Sequence, residues 1–288
     1  MNAYFYLGVI CEKQKDYKNA IKLLKQCLMI DKNHFGSCIH LATLLANAGE
    51  SQKAAKYFKH ARAIDSDSIP ANFGYGKTLH ALTNNVDAPI PYFEHCIKKD
   101  KNHYKAYCQL GIIYLEKENL ETSADYLKKC LSINPNYVLG LVTMGNLLFE
   151  SGHYSHSTRY HEQALKFSPN EIQALVGMGN ALYDQNKREE AVDFYKKALV
   201  EDPNLSDVHY NLGNTLYQLK KTDEAISHYA KAIELNPTKS ESYYNLGNAF
   251  CVIDKFDDAI ENYKKAIELD SYNAPAFYNL GNAYYMLG

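Results

Sequence analysis

Apolar and polar residues alternate along this chain with the rhythm of short amphipathic helices. In the segment YYNLGNAFCV, which begins at Tyr243, apolar residues recur at intervals of three and four, which places them on one helical face. After a short polar break, a second apolar stripe of the same spacing runs from Ala259 to Ile267. The pattern therefore predicts a pair of helices, A and B, joined by a turn.

The helix pair recurs at a fixed interval. Gly213, Gly247 and Gly281 are 34 residues apart, and the same interval, with one step of 35, runs back to Gly8. A fixed period of this size is typical of stacked repeats. It predicts a single array over residues 1–288. The full units are 1–34, 35–68, 69–103, 104–137, 138–171, 172–205, 206–239 and 240–273, and 274–288 is the first helix of a truncated ninth.

Small residues at set places in the unit predict tight packing between its helices. Position 8, counted from the start of each unit, is glycine in every unit except the second, which has Ala42. Glycine inside a helix destabilises it by about 1 kcal/mol relative to alanine. Positions 20 and 27 also carry small residues in most units. Because a larger side chain would separate the helices, these positions predict close helix contacts. Helix B is expected to end before proline, as at Asn134, Ser168, Asp202 and Asn236.

The third unit carries the extra residue, within the segment LTNNVDAPIPYF. Asn84 and Asn85 indicate a turn, and Asp87 followed by Pro89 predicts a helix start with proline in the first turn. We expect a tolerated length variant here, with a hinge or docking loop as the alternative.

These features resemble the tetratricopeptide repeat family. Unit 8 shows the family pattern of aromatic residues, Leu-Gly and alanines at Tyr243, Leu246, Gly247, Phe250, Ala259, Tyr263 and Ala266. The resemblance implies an all-α fold, a right-handed α-solenoid of stacked antiparallel helix hairpins. The C-terminal units are also similar to consensus tetratricopeptide repeats and to the repeat region of O-linked N-acetylglucosamine transferase.

Composition narrows the classes of partner. A net charge of −2, a pI of about 6.6 and the lack of a basic run argue against nucleic-acid binding. The apolar segment YFYLGVIC is too short for a signal peptide or a membrane span, so no membrane partner is expected. Seven cysteines without a Cys-x-x-Cys pair favour a reducing compartment. We expect a cytoplasmic location, with cilium and nucleus left open.

The resemblance also implies that the face of helix A opposite the core lines a concave groove. Asparagine is a poor helix former, but its amide can pair with both the donor and the acceptor of a peptide unit. We therefore expect this face to hold an extended peptide by its backbone; the alternative is that the asparagines only solvate an open face. The candidate groove residues are Asn146, Asn180, Asn214, Asn248 and Asn282 at position 9, Asn211, Asn245 and Asn279 at position 6, Tyr210, Tyr244 and Tyr278 at position 5, and Tyr183, Tyr217 and Tyr285 at position 12.

The corresponding face of units 1 to 4 is more apolar. Its residues are Phe5, Ile39, Phe73 and Cys108 at position 5 and Val9, Thr43, Lys77 and Ile112 at position 9. It could hold the apolar face of a partner helix or a flanking segment of its own chain, and both remain open.

Three other kinds of site are not expected. Receptors of chaperone C-terminal tails resemble this fold, but their carboxylate clamp needs basic residues at positions 2, 5 and 6, where only His40 and Lys105 occur. His153, His156 and His161 are close in sequence, but His161 falls on a core position and His153 in a turn, so no metal or other cofactor is expected. No catalytic motif appears, and we expect no enzyme activity.

The last unit stops at Gly288 before its second helix, which predicts that more chain or a partner covers Leu280, Gly281 and Tyr284. The expected function is a non-catalytic scaffold that binds a protein partner, as an extended peptide or a helix, in the groove. Two alternatives stay open. One is the substrate-recognition arm of a larger enzyme such as an O-linked N-acetylglucosamine transferase. The other is a structural subunit of a large assembly of the anaphase-promoting or ciliary transport type.

Overall fold

The computed structural model describes residues 2–288, which form 17 α-helices and contain no strand. The helices are α1 (Asn2–Lys13), α2 (Tyr17–Ile30), α3 (Phe35–Asn47), α4 (Ser51–Ile64), α5 (Ile69–Leu82), α6 (Ile90–Lys99), α7 (Tyr104–Glu116), α8 (Leu120–Ile133), α9 (Val138–Glu150), α10 (Tyr154–Phe167), α11 (Ile172–Asp184), α12 (Arg188–Glu201), α13 (Ser206–Gln218), α14 (Thr222–Leu235), α15 (Ser240–Val252), α16 (Phe256–Leu269) and α17 (Ala274–Leu287). The all-α fold of helix hairpins that the sequence predicts is confirmed. Within the described residues, no helix has both the length and the apolar character that crossing a bilayer requires.

The ends of the helices follow local sequence signals. In helices α8, α10, α12 and α14, the C-cap residue is the one that directly precedes a proline. Because proline disfavours helical geometry in the residue before it, these stops match the prediction. In the third unit α6 begins only at Ile90, and Pro89 is its N-cap instead of a first-turn residue.

Seven of the A–B turns share one backbone feature that no residue type marks in the sequence. Position 15 has a left-handed backbone, with φ between 57° and 62° at five non-glycine residues and between 73° and 78° at two glycines. This conformation costs an L-residue about 1 kcal/mol or more. Packing of the two helices therefore imposes the turn. The residues are Lys15, Gly49, Glu118, Gly152, Asn186, Lys220 and Asp254.

The glycine at position 8 allows helix A to approach one side chain of helix B in the same hairpin. A Cβ atom on Gly179 would lie 2.5 Å from the ring of Tyr195, and a Cβ on Gly213 would lie 2.7 Å from the ring of Tyr229. Such contacts are too short for any carbon pair, which explains why glycine is kept in these helices. The small residues at positions 20 and 27 are likewise buried.

The hairpins are grouped into two compact units, the first ending at Pro135 and the second beginning at Asn136. The first unit has its largest apolar cluster around Leu24, Leu41 and Phe58. The second unit has a larger cluster that includes Tyr195 and Tyr229. That residues 1–288 form one continuous array, with the boundaries predicted above, remains a prediction.

Candidate functional site

The asparagines of the second unit lie on one face of four helices. Helix α11 contributes position 9 alone, and α13, α15 and α17 contribute positions 6 and 9. We call this surface the amide face; its residues are Asn180, Asn211, Asn214, Asn245, Asn248, Asn279 and Asn282. All of them are half-buried except Asn282, which is exposed. Buried polar atoms are usually hydrogen-bonded, so the partners of these half-buried amides define the site.

Three of the position-9 amides each accept hydrogen bonds from two donors. The hydroxyl of Tyr229, which is only 1% exposed, donates to Oδ1 of Asn214 at 2.8 Å. Nδ2 of Asn245, from the next repeat, donates to the same oxygen at 2.9 Å. We call this arrangement of a B-helix tyrosine, its position-9 asparagine and the next position-6 asparagine an amide staple. It joins helices α13, α14 and α15.

The staple occurs three times in the second unit. In the earlier copy, Tyr195 and Asn211 donate to Asn180 at 2.8 and 3.1 Å. In a later copy, Tyr263 and Asn279 both donate to Oδ1 of Asn248 at 2.8 Å. Burial raises the pKa of all three tyrosines, so their hydroxyls remain protonated donors near neutral pH.

The staples leave a regular set of polar atoms without a partner. Nδ2 of Asn245 also donates to the hydroxyl of Tyr210 at 3.1 Å, so both hydrogens of that amide are used. Nδ2 of Asn279 reaches the hydroxyl of Tyr244 at 3.2 Å in the same way. Within residues 2–288, Nδ2 of Asn214 and Oδ1 of Asn245 have no hydrogen-bond partner. Each such staple therefore presents one amide donor group beside one carbonyl acceptor.

The fifth repeat departs from this pattern. His161 takes the place of the staple tyrosine and Gly177 the place of the position-6 asparagine, so Asn146 is not stapled. His161 is fully buried, as its core position predicted, and neither ring nitrogen has a hydrogen-bond partner within the described chain. Burial lowers its pKa to about 4. Gly145 and Gly177 enclose the ring, since a Cβ on either would lie within 2.6 Å of it.

Two pockets open beside the staples. The first has a volume of about 230 Å³ and is lined by Phe149, Tyr183, Asp184 and the amides of the first staple, together with Asn214. The second has a volume of about 470 Å³. It is lined by Tyr217, Cys251, Val252 and Met286 among others, and by the amides of the last staple. Side chains of a bound segment could enter both pockets.

The remaining predicted residues are distributed around these pockets. The hydroxyl of Tyr183 accepts a hydrogen bond from Gln218, and Asn282 lines the second pocket. Tyr278 and Tyr285 are 71% and 85% exposed on α17. That these residues bind a partner remains a prediction.

Sequence reasoning missed the three staple tyrosines. The sequence pattern places Tyr263 in the apolar stripe of helix B and does not single out Tyr195 or Tyr229; all three are buried. The available signal was their constant separation from asparagine, since each follows a position-9 asparagine by 15 residues.

The first unit has a pocket of a different character. It has a volume of about 360 Å³, and four of the eight residues named above for this face line it: Ile39, Thr43, Phe73 and Lys77. Phe58 forms another part of the wall. Its surface is thus more apolar than that of the amide face.

Sequence models of one repeat family match well over half of the chain. Models described as tetratricopeptide repeat match residues 13–71, 104–137, 206–239 and 228–261. A model described as TPR repeat matches residues 179–220 and 254–288. No curated protein matches the chain by sequence.

Several solved structures share the fold. The APC/C hetero-tetramer Cut9–Hcn1 contains a chain with a TM-score of 0.76 and 13% identity over 93% of this chain, which spans 52% of that one. YrrB, described as a TPR protein with an unusual peptide-binding site, has a TM-score of 0.56 and 20% identity, covering 65% of this chain and 96% of its own. MamA has a TM-score of 0.53 and 23% identity, covering 57% and 96%. At these identities the similarity shows the fold alone.

Proposed function

This chain belongs to the tetratricopeptide repeat family, and from that premise we propose that it is a non-catalytic scaffold that binds an extended segment of a partner protein along the amide face. Proteins of this family bind protein or peptide partners. The similarity to Cut9 is one of fold at 13% identity, and this chain spans about half of that chain, so it carries no assembly role over to this protein.

The observation that carries the proposal is the set of polar atoms that the staples leave unused. A peptide unit offers one carbonyl acceptor and one N–H donor. Nδ2 of Asn214 and Oδ1 of Asn245 offer the complementary pair, and the last staple offers the same pair from Asn248 and Asn279. Recognition through the backbone places little demand on the sequence of the partner.

The staples also hold these amides in place before a ligand arrives. A side chain that is already ordered loses less conformational entropy when it binds, so its hydrogen bonds contribute more to affinity. The groups on this face are amides and protonated phenols, which suit binding through hydrogen bonds. This chemistry supports a scaffold function.

The test needs variants that separate binding from folding. Alanine at Asn248 would remove the staple and the free donor together. Asn248→Asp keeps an oxygen that can accept from Tyr263 and Asn279 but replaces the free donor by a second acceptor. Asn204→Asp is the matched control, because it makes the same amide-to-carboxylate exchange at an exposed position outside the amide face.

Peptides that bind the full chain are first selected from a random display library, and their affinities are then measured by fluorescence anisotropy. We expect Asn248→Asp to weaken binding at least about tenfold, or about 1.4 kcal/mol, because an acceptor then faces the peptide carbonyl. Asn204→Asp should bind within about twofold of the wild type. Equal affinity of Asn248→Asp and wild type, or a library with no binding peptide, would contradict the proposal.

A further inference from the structure

The two pockets of the amide face differ in chemistry, and this difference specifies the partner. Resting on the proposed function, we infer that the bound segment carries a basic side chain beside Asp184 and an apolar side chain roughly six residues away, in the pocket between α15 and α17.

Asp184 is a carboxylate without a cation. It lines the first pocket with the rings of Phe149 and Tyr183. No ion pair of Asp184 is found among residues 2–288, and burial in the pocket raises the pKa of its carboxyl group. In the same unit, Asp207 differs from Asp184 because it is paired with Lys239 at 2.7 Å.

The nearby Arg188 does not pair with Asp184. Arg188 lies 5.9 Å from the centre of the Tyr183 ring, but its guanidinium donates to the side chains of Gln218 and Asn186. It is therefore held by neutral oxygens and not by Asp184. The pocket keeps a net negative charge that a ligand could neutralise.

A basic side chain fits this pocket better than a neutral donor does. An ammonium or guanidinium group would pair with the carboxylate of Asp184, and its positive charge would also be attracted by the faces of the two aromatic rings. The aliphatic stem of lysine or arginine would pack along those rings. The carboxylate of Asp184 is exposed, so such a group can reach it from solvent.

The second pocket suits an apolar side chain. No charged residue lines it, and its walls include Val252, Phe256, Ala283 and Met286. Val252 is 55% exposed and Met286 is 60% exposed, which is high for apolar side chains. A Leu, Ile, Met or Phe side chain entering the pocket would cover both and remove apolar surface from water.

The position of the pockets sets the register. The first lies on α11 and α13 and the second on α15 and α17, which are two repeats further along. Neighbouring packed helices are about 10 Å apart, so two repeats correspond to roughly 20 Å. An extended chain advances about 3.3 Å per residue, so the two side chains should be roughly six residues apart.

The experiment uses the full chain and a random peptide library displayed on phage, followed by sequencing of the enriched peptides. Wild-type protein should enrich peptides with Lys or Arg and an apolar residue five to seven positions away (about 20 Å). Asp184→Asn should lose the preference for the basic residue but keep that for the apolar one. Asp184→Lys should select an acidic residue in its place. Asp193→Asn, which removes an exposed carboxylate from α12, is the matched control.

Affinities of one enriched peptide complete the test. Replacing its basic residue by alanine should weaken binding to the wild type about tenfold and leave binding to Asp184→Asn nearly unchanged. Enriched peptides without a basic residue, or a basic preference that persists in Asp184→Asn, would overturn this inference and leave the proposed function standing. A library without any enriched peptide would overturn both.

Discussion

The staple of Tyr229, Asn214 and Asn245 makes a quantitative prediction about stability. Asn214 accepts both hydrogen bonds on one oxygen, and the Tyr229 hydroxyl is almost completely buried. Three variants separate the contributions: Tyr229→Phe, Asn214→Ala and the double variant. Each keeps the helix pattern intact, so a change in stability reports on the staple.

The magnitudes follow from which groups lose their partners. Tyr229→Phe removes one hydrogen bond but leaves Asn214 with its second donor, so it should cost about 1 kcal/mol. Asn214→Ala leaves a buried hydroxyl without an acceptor and removes one acceptor of Asn245, so it should cost about 2–4 kcal/mol. The double variant has no orphaned hydroxyl. It should therefore cost about 1–2 kcal/mol less than the sum of the two single variants.

Urea denaturation followed by circular dichroism measures these free energies, and amide hydrogen exchange in α13–α15 checks that the loss is local. Tyr107→Phe is a control in the first unit, because Tyr107 is 8% exposed and its hydroxyl has no hydrogen bond within residues 2–288. It should change stability by less than about 0.5 kcal/mol. Additive single variants, without coupling, would refute the claim that the hydroxyl and the amide are bonded.

Two further predictions concern the core. His161 has a folded pKa of about 4 against an ordinary value of 6.5, so the stability that its neutral ring contributes is complete above pH 6.5 and is lost, by about 3 kcal/mol, as the pH falls to 4. His161→Leu introduces the residue that the previous repeat has at this position, Leu127. Its melting temperature should depend less on pH than that of the wild type, and an unchanged dependence would contradict the low pKa of His161. Gly213→Ala should destabilise by about 1–3 kcal/mol, because the added Cβ meets the Tyr229 ring. Gly281→Ala meets nothing within 4 Å and should stabilise by up to about 1 kcal/mol, and similar melting shifts for both alanines would be inconsistent with this packing.

The sequence was sufficient for the parts of this fold that depend on local rules. The proline signals located the ends of α8, α10, α12 and α14, and the position-8 glycines predicted close approach of two helices. Both signals act between residues in one hairpin. They could therefore be deduced from periodicity and side-chain size alone.

The site depends on contacts that cross repeats, and these were less visible. An aromatic residue at the position of Tyr229 satisfies the core pattern as well as phenylalanine does, as Phe58 shows in the second repeat. Only the structure shows that its hydroxyl meets Asn214, and that Asn245 reaches the same oxygen from 31 residues away. The asparagines were predicted to bind a ligand, whereas each of the six stapled ones uses one of its two polar atoms to hold neighbouring repeats together.

The most direct test of the account is the nuclear magnetic resonance spectrum of the asparagine side-chain amides, recorded on the full chain with and without a selected peptide. The resonances of the free Nδ2 groups of Asn214 and Asn248 should shift when the peptide binds. The amides of the exposed Asn186 and Asn204 should keep their positions. Shifts confined to residues outside the amide face would show that the peptide binds elsewhere and would contradict the account.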